Sequence, residues 1–249
     1  MRQRIPVVVR LVWTAAELAV TLGAVLALLV VHQLWWTNRE ARASAGERVS
    51  QLERGWQRPA PSPGPPTPSP DTSASDTSAS PDPRPGAERP ARRPARRPGQ
   101  DLAYAVLRIP RLGLAAPVAQ GIGKESVLNK GYVGHYPGTA EPGQAGNTGL
   151  AGHRNTHGEP FRRLNLLRAG DTVRIDTADA RYTYAVDRTL PQTMPGDGTV
   201  LAKVPYSSVH PGYRYTEPGY YLTLTTCTPE YTSKYRLVVW ARLAKMEPR

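Results

Sequence analysis

A single cysteine, Cys227, stands in a chain of 249 residues. Alone it cannot form an intramolecular disulfide, which leaves a buried inert residue, an intermolecular bridge or a nucleophile. It ends the run Tyr221-Leu222-Thr223-Leu224-Thr225-Thr226-Cys227, and Thr228-Pro229 stops that run at once. Chain positions beside loops are where catalytic side chains are usually presented. Nine residues on comes Arg236, in Lys234-Tyr235-Arg236-Leu237-Val238-Val239-Trp240. If the two segments form an antiparallel hairpin with Cys227 opposite Arg236, the numbers of paired residues sum to 463. One face then carries Thr226 with Leu237, Leu224 with Val239 and Leu222 with Ala241, which reads as core. The other carries Cys227 with Arg236, Thr225 with Val238 and Thr223 with Trp240, expected to be a more polar surface. A one-residue slip would mix the two faces, so the pattern selects this register. A thiol beside a fixed cation suits acyl transfer, because the cation favours thiolate first and an oxyanion later.

Such a nucleophile needs a base, and the Tyr-rich part of the chain offers His135, His153, His157 and His210. His153 follows a Gly-rich turn and a short apolar stretch in Asn147-Thr148-Gly149-Leu150-Ala151-Gly152-His153-Arg154. His135, in Gly134-His135-Tyr136-Pro137, ranks next. The other two sit in polar, loop-like stretches. No cluster of cysteines and histidines has metal-ligand spacing, so neither a metal nor another cofactor is expected.

These residues need a scaffold. Short β-like runs punctuated by Gly and Pro are predicted at 104–109, 114–118, 149–153, 172–177, 181–189, 221–227 and 234–243, with short helical pieces near 124–129 and 161–167. Many short strands with turns between them argue for an all-β closed barrel or sandwich over residues 101–249.

The first hundred residues have a different texture. Residues 11–31 form a nearly unbroken apolar run, interrupted by Thr14, Glu17 and Thr21, long enough to span a bilayer. Arg2, Arg4 and Arg10 precede it, and Trp35 and Trp36 close it as an interfacial belt. The excess of arginine before the run predicts a cytoplasmic N-terminus, with everything after Trp36 outside. Residues 1–36 are therefore read as an uncleaved single-pass anchor, since Ala43-Ser44-Ala45 lies too far beyond the run for an ordinary signal cleavage site. Residues 37–100 read as a Pro/Ser/Arg-rich extracellular linker: 13 of the chain's 26 prolines lie between Pro59 and Pro98. Its stretch 57–99 has no aromatic or branched aliphatic residue with which to offset the entropy of ordering, and is expected to be disordered. The net charge of +12 comes with no nucleic-acid-binding fingerprint, so basic flanks of a membrane segment account for it better than nucleic acid.

Taken together, Ala151-Gly152-His153-Arg154, the strand Thr223-Leu224-Thr225-Thr226-Cys227 and Arg236 resemble the signature set of sortases, the cell-wall transpeptidases of Gram-positive bacteria. The stretch His135-Tyr136-Pro137-Gly138-Thr139-Ala140 and Thr228-Pro229 resemble class E in particular. The resemblance implies an eight-stranded β-barrel with short helices. It implies Cys227 as the nucleophile that forms an acyl-thioester, His153 as general acid and base, and Arg236 as the stabiliser of oxyanion or substrate. Thr225, Thr226 and His135 are read as substrate-binding positions beside them. The implied reaction cleaves a C-terminal sorting signal between Thr and Gly and passes the acyl group to an amine of a lipid-linked peptidoglycan precursor. Surface proteins bearing Leu-Ala-x-Thr-Gly, rather than Leu-Pro-x-Thr-Gly, are the expected clients of class E, and the plasma membrane is the expected site. Two other readings compete. A peptidoglycan L,D-transpeptidase would usually set its cysteine in a Ser-His-Gly-Cys context, which Thr-Thr-Cys is not. A membrane-tethered wall-binding module would carry Cys227 as an idle thiol.

Overall fold

The computed structural model describes residues 7–57 and 103–249. The linker expected to be disordered at 57–99 lies, apart from Gln57, outside the described residues.

Eight strands close into one barrel: β1 (Ala103–Ile109), β2 (Leu114–Gln120), β3 (Val133–His135), β4 (Gly146–Ala151), β5 (Thr172–Asp176), β6 (Ala180–Thr193), β7 (Tyr220–Thr228) and β8 (Tyr235–Pro248). Their order around the barrel is β1-β2-β3-β4-β7-β8-β6-β5. Most neighbours are antiparallel, but β2–β3 and β4–β7 are parallel. β3 has only three residues, too short to leave an alternating pattern in the sequence. The expected strand at 149–153 begins earlier and stops at Ala151, short of His153. Short 3-10 turns at Leu128–Lys130 and Leu164–Leu166 stand where the helical pieces are expected.

The β7–β8 hairpin has the expected register, with Cys227 opposite Arg236 and Leu222 opposite Ala241. Its inward face supplies Leu222, Leu224, Leu237, Val239 and Ala241 to a core shared with Leu107, Ile109, Leu150, Phe161 and Ile175. Each such large side chain contributes about 1.5–3 kcal/mol by burial. The outward face is not the polar surface its sequence suggests. Val238 and Trp240 are fully buried there, under Leu190, Val200 and Tyr215. The Val200 carbonyl accepts hydrogen bonds from Trp240 Nε1 (3.2 Å), Thr223 Oγ1 (3.1 Å) and Asn147 Nδ2 (3.3 Å). The long β6–β7 connection thereby covers all but the cysteine end of this face.

One helix, α1 (Val7–Gln57), precedes the barrel. Residues 7–33 are exposed, and this is the one described helix long and apolar enough to cross a membrane. It does not stop at Trp36, where the sequence reading ends the anchor, but runs to Gln57, for about 75 Å in all. The cause is visible in the side chains. After Pro6 no proline recurs before Pro59, and Ala41, Ala45, Val49 and Leu52 recur at helical spacing. Ala45 and Leu52 of that stripe pack with Ala103, Ala119, Val127 and Tyr132. Arg108 pairs with Glu53, and the Arg249 guanidinium lies 4.8 Å from the Trp56 ring.

Candidate active site

Three adjacent strands, β4, β7 and β8, meet at the cysteine. In the parallel β4–β7 pair, Ala151 stands opposite Thr225, an offset of 74 residues. Continuing that offset two residues past the end of β4 sets His153 level with Cys227. The antiparallel β7–β8 pair sets Arg236 opposite Cys227 from the other side. The half-buried thiol is thus flanked across the sheet by the histidine segment and the arginine.

The backbone around His153 is fixed on both sides. Gly152 N donates to Thr225 O (3.2 Å), Thr226 Oγ1 donates to Gly152 O (2.8 Å), and Phe161 N donates to His153 O (3.0 Å). Position 152 must be glycine at this packing, because a Cβ would stand 2.7 Å from Cδ2 of the fully buried Phe161 ring. The His153 imidazole is half-buried, with Nε2 2.9 Å from Asn129 Oδ1 and its ring stacked on His157 at 5.3 Å. With Nε2–H donating to the amide oxygen, Nδ1 carries the lone pair of the neutral ring. Burial, then the charges of His157 and Lys124, hold its pKa below the ordinary histidine value.

Arg236 directs Nη1 to the carbonyls of Ser233 (2.9 Å) and Tyr235 (3.0 Å), tying the guanidinium to the end of the β7–β8 loop and the start of β8. The three expected substrate-binding residues lie beneath the surface. Thr225, Thr226 and His135 are 4%, 3% and 1% exposed. The Thr225 hydroxyl meets Tyr136 OH (3.0 Å) and the Leu150 carbonyl, and that of Thr226 is bonded to Gly152 as above. His135 has Tyr104 OH on Nδ1 (2.8 Å) and the Ala140 carbonyl on Nε2 (3.1 Å), and burial pushes its pKa down. These three residues shape the strand ends, and their side-chain polar atoms are engaged within the barrel. Sequence reasoning did not single out Arg154, Asn129 or Tyr136. Arg154, 7% exposed, donates from Nη1 to Cys227 O (3.2 Å) and Thr228 Oγ1 (2.8 Å).

A sortase-domain family model matches residues 107–244, more than half of the chain and a stretch that contains His153, Cys227 and Arg236. The chain belongs to the sortase family. Sortase SrtE1 of Streptomyces coelicolor is 40% identical over 238 residues, covering 94% of this chain and 57% of that protein. The chain thus spans little more than half the length of that relative. Sortase SrtE2 of the same organism is 29% identical over 244 residues, covering 93% of this sortase and 81% of the other. The crystal structure of sortase E1 from S. coelicolor with a tripeptide in the active site is 46% identical, with a TM-score of 0.56 over 60% of this chain and 92% of that one. The SrtA sortase from Actinomyces oris is 30% identical, with a TM-score of 0.51 over 59% and 82%. The class E resemblance read from His135-Tyr136-Pro137 and Thr228-Pro229 agrees with these relatives.

Proposed function

We propose that this sortase is a membrane-anchored cysteine transpeptidase that cleaves a sorting signal between Thr and Gly and joins the acyl part to an amine. The observation that supports the reading is Arg236 opposite Cys227 on β8, with β4, whose Ala151 stands opposite Thr225, leading on its other side into the segment that carries His153. In this scheme His153 Nδ1 takes the proton of the Cys227 thiol, and Sγ attacks the Thr carbonyl carbon. Arg236 donates hydrogen bonds to the oxyanion of the tetrahedral intermediate. The intermediate collapses as the Thr–Gly C–N bond breaks and the imidazolium gives its proton to the departing glycine amine. The thioester then meets an incoming amine, which loses a proton to the same imidazole as it displaces Sγ. A peptide cleft is supported by the 46% identical sortase E1, whose structure carries a tripeptide in its active site.

Leu-Ala-x-Thr-Gly is the proposed signal, following the class E resemblance, and a peptidoglycan precursor amine is the proposed acceptor. The arginines before α1 support a cytoplasmic N-terminus with the barrel on the cell-wall side. The test is mass spectrometry of the full chain in detergent, incubated with Leu-Ala-x-Thr-Gly and Leu-Pro-x-Thr-Gly peptides. An acyl adduct on Cys227, absent in Cys227→Ala, is expected, and it should form faster with the Leu-Ala signal. No adduct with either peptide, in a folded protein, would overturn the reading.

A further inference from the structure

We propose that Asn38 and Arg42, on the part of α1 that emerges from the membrane, are positioning residues for His153. The inference rests on the acid–base role given to His153 above. Both residues face one loop of the barrel. Asn38 Nδ2 donates to Glu159 Oε1 (3.0 Å), and Gly158 N donates to Asn38 Oδ1 (3.2 Å). Arg42 donates from Nε to Gly158 O (3.1 Å) and from Nη2 to Glu159 Oε2 (2.7 Å). The four-residue spacing puts the two side chains on one face of the helix, so they act as one clamp.

What they clamp is strained. His157, Gly158 and Glu159 have φ of 51°, 83° and 52°, three successive residues in the left-handed region. For the two non-glycine residues this conformation is costly, and it persists only where the surroundings over-determine it. The Glu159 side chain is 4% exposed and is held by Arg42 and by Arg162 Nη1 (2.8 Å). The ring at the start of this strained run, His157, is the one stacked on His153.

The second contact on the His153 imidazole leads to the same helix. Asn129, which accepts from Nε2, belongs to the turn Leu128–Lys130. Gly131 follows that turn with φ 77°, and a Cβ there would stand 2.8 Å from the Ala41 carbonyl of α1. Both groups that orient the ring are therefore carried on segments laid against residues 38–42. These residues follow Trp36 by two to six positions, about 3–9 Å along the helix axis, in the interfacial layer beside the proposed membrane span. The geometry makes the anchor more than a tether: the helix that fixes the barrel to the bilayer also sets the orientation of the catalytic imidazole.

The experiment uses the full chain in nanodiscs, with the variants Asn38→Ala/Arg42→Ala and Arg42→Gln and, as control, Glu53→Gln, which loosens α1 from Arg108 far from the loop. The readouts are the NMR titration of the His153 imidazole and kcat and KM for the signal peptide. The titratable groups facing that ring are His157 and Lys124. Both clamp variants should move the His153 titration up toward the ordinary value as the stack loosens. They should lower kcat by about 10- to 100-fold with KM little changed, the scale of a misplaced catalytic group. Glu53→Gln should leave the titration and kcat alone. An unmoved His153 titration in a folded Asn38→Ala/Arg42→Ala protein overturns the coupling, as does an equal shift in Glu53→Gln. Unimpaired turnover in His153→Ala would instead overturn the acid–base reading itself.

Discussion

Arg154 donates a hydrogen bond to the backbone carbonyl of Cys227, 3.2 Å away, so the residue after the histidine holds the end of the cysteine strand. A second bond to the Thr228 hydroxyl, at 2.8 Å, extends the clamp across the turn that follows. One peptide unit thus joins the proposed base, His153, to the side chain that supports the proposed nucleophile. The Arg154 side chain is nearly buried, and Glu230 at 3.8 Å is its ion-pair partner.

The first prediction follows from that clamp. Hydrogen bonds made by a charged donor in a buried site are worth about 1.5–3 kcal/mol, so Arg154→Ala should lower stability by that order. Arg154→Lys keeps the charge but cannot reproduce the planar fork, and its thioester formation should fall by about ten-fold or more. Thermal denaturation and adduct kinetics check the two effects separately. Wild-type adduct kinetics in Arg154→Lys would show that Cys227 keeps its place without the clamp.

A second prediction concerns pH. The pKa of His153 is lowered by burial first and then by His157 and Lys124, so the ring is neutral near pH 7. Acylation needs that neutral ring and should fail as pH drops through a value below the ordinary 6.5. Lys124→Gln removes a repelling charge, so the acid limb of kcat/KM should move up toward 6.5. The linked effect on stability has the same sign. The unfolded chain binds this proton more readily, so the contribution is complete above about pH 6.5 and declines as pH falls through the folded value. An acid limb that stays put in Lys124→Gln would mean another group governs it.

Much of this site is legible in the sequence, for definite reasons. The β7–β8 register follows from alternation across a short loop, because one slip would exchange Leu222 and Leu224 for Thr223 and Thr225 in the core. The parallel β4–β7 pairing, which sets Ala151 opposite Thr225, has no such signature, since 74 residues of chain separate the partners. The burial of Trp240 depends on Val200 and Tyr215 in a distant connection, which no local pattern announces. The continuation of α1 is different. Ala41, Ala45, Val49 and Leu52 do write a helical stripe, but alanines give a weak apolar signal beside the proline-rich segment that follows.

A third prediction tests the cover over the hairpin. The Asp197 carboxylate is buried, which alone would raise its pKa. Bonds from Ser207, Thr193, Thr199 and the Ser208 amide outweigh that and hold it at about 2. Its contribution, about 2 kcal/mol, is complete above the unfolded value near 4 and lost as pH falls toward 2. Asp197→Asn should therefore be less stable than wild type at pH 7, with the difference shrinking below pH 4. Urea midpoints measured across that range decide it, and a gap that is constant with pH would assign the effect to packing instead.

The last prediction separates geometry from charge at Arg236. Its Nη1 is committed to the carbonyls of Ser233, in the β7–β8 loop, and of Tyr235, the first residue of β8. A guanidinium has five N–H groups, so Nε and Nη2 can still donate to an oxyanion beside Cys227 while Nη1 holds the loop. A lysine ammonium is one nitrogen on a flexible stem. It can satisfy the loop or reach the oxyanion, but not both from one position. Arg236→Lys should accordingly lose about 100- to 1,000-fold in kcat, the scale of one oxyanion donor removed, with charge retained and the fold intact. Arg236→Ala should be similar or worse. His153→Ala/Arg236→Ala should be scarcely poorer than the worse single variant, because both residues serve one transition state. Single-turnover adduct formation, with circular dichroism to verify folding, is the measurement. Near-normal acylation in Arg236→Lys would leave the residue as an anchor for its loop and require another donor for the oxyanion.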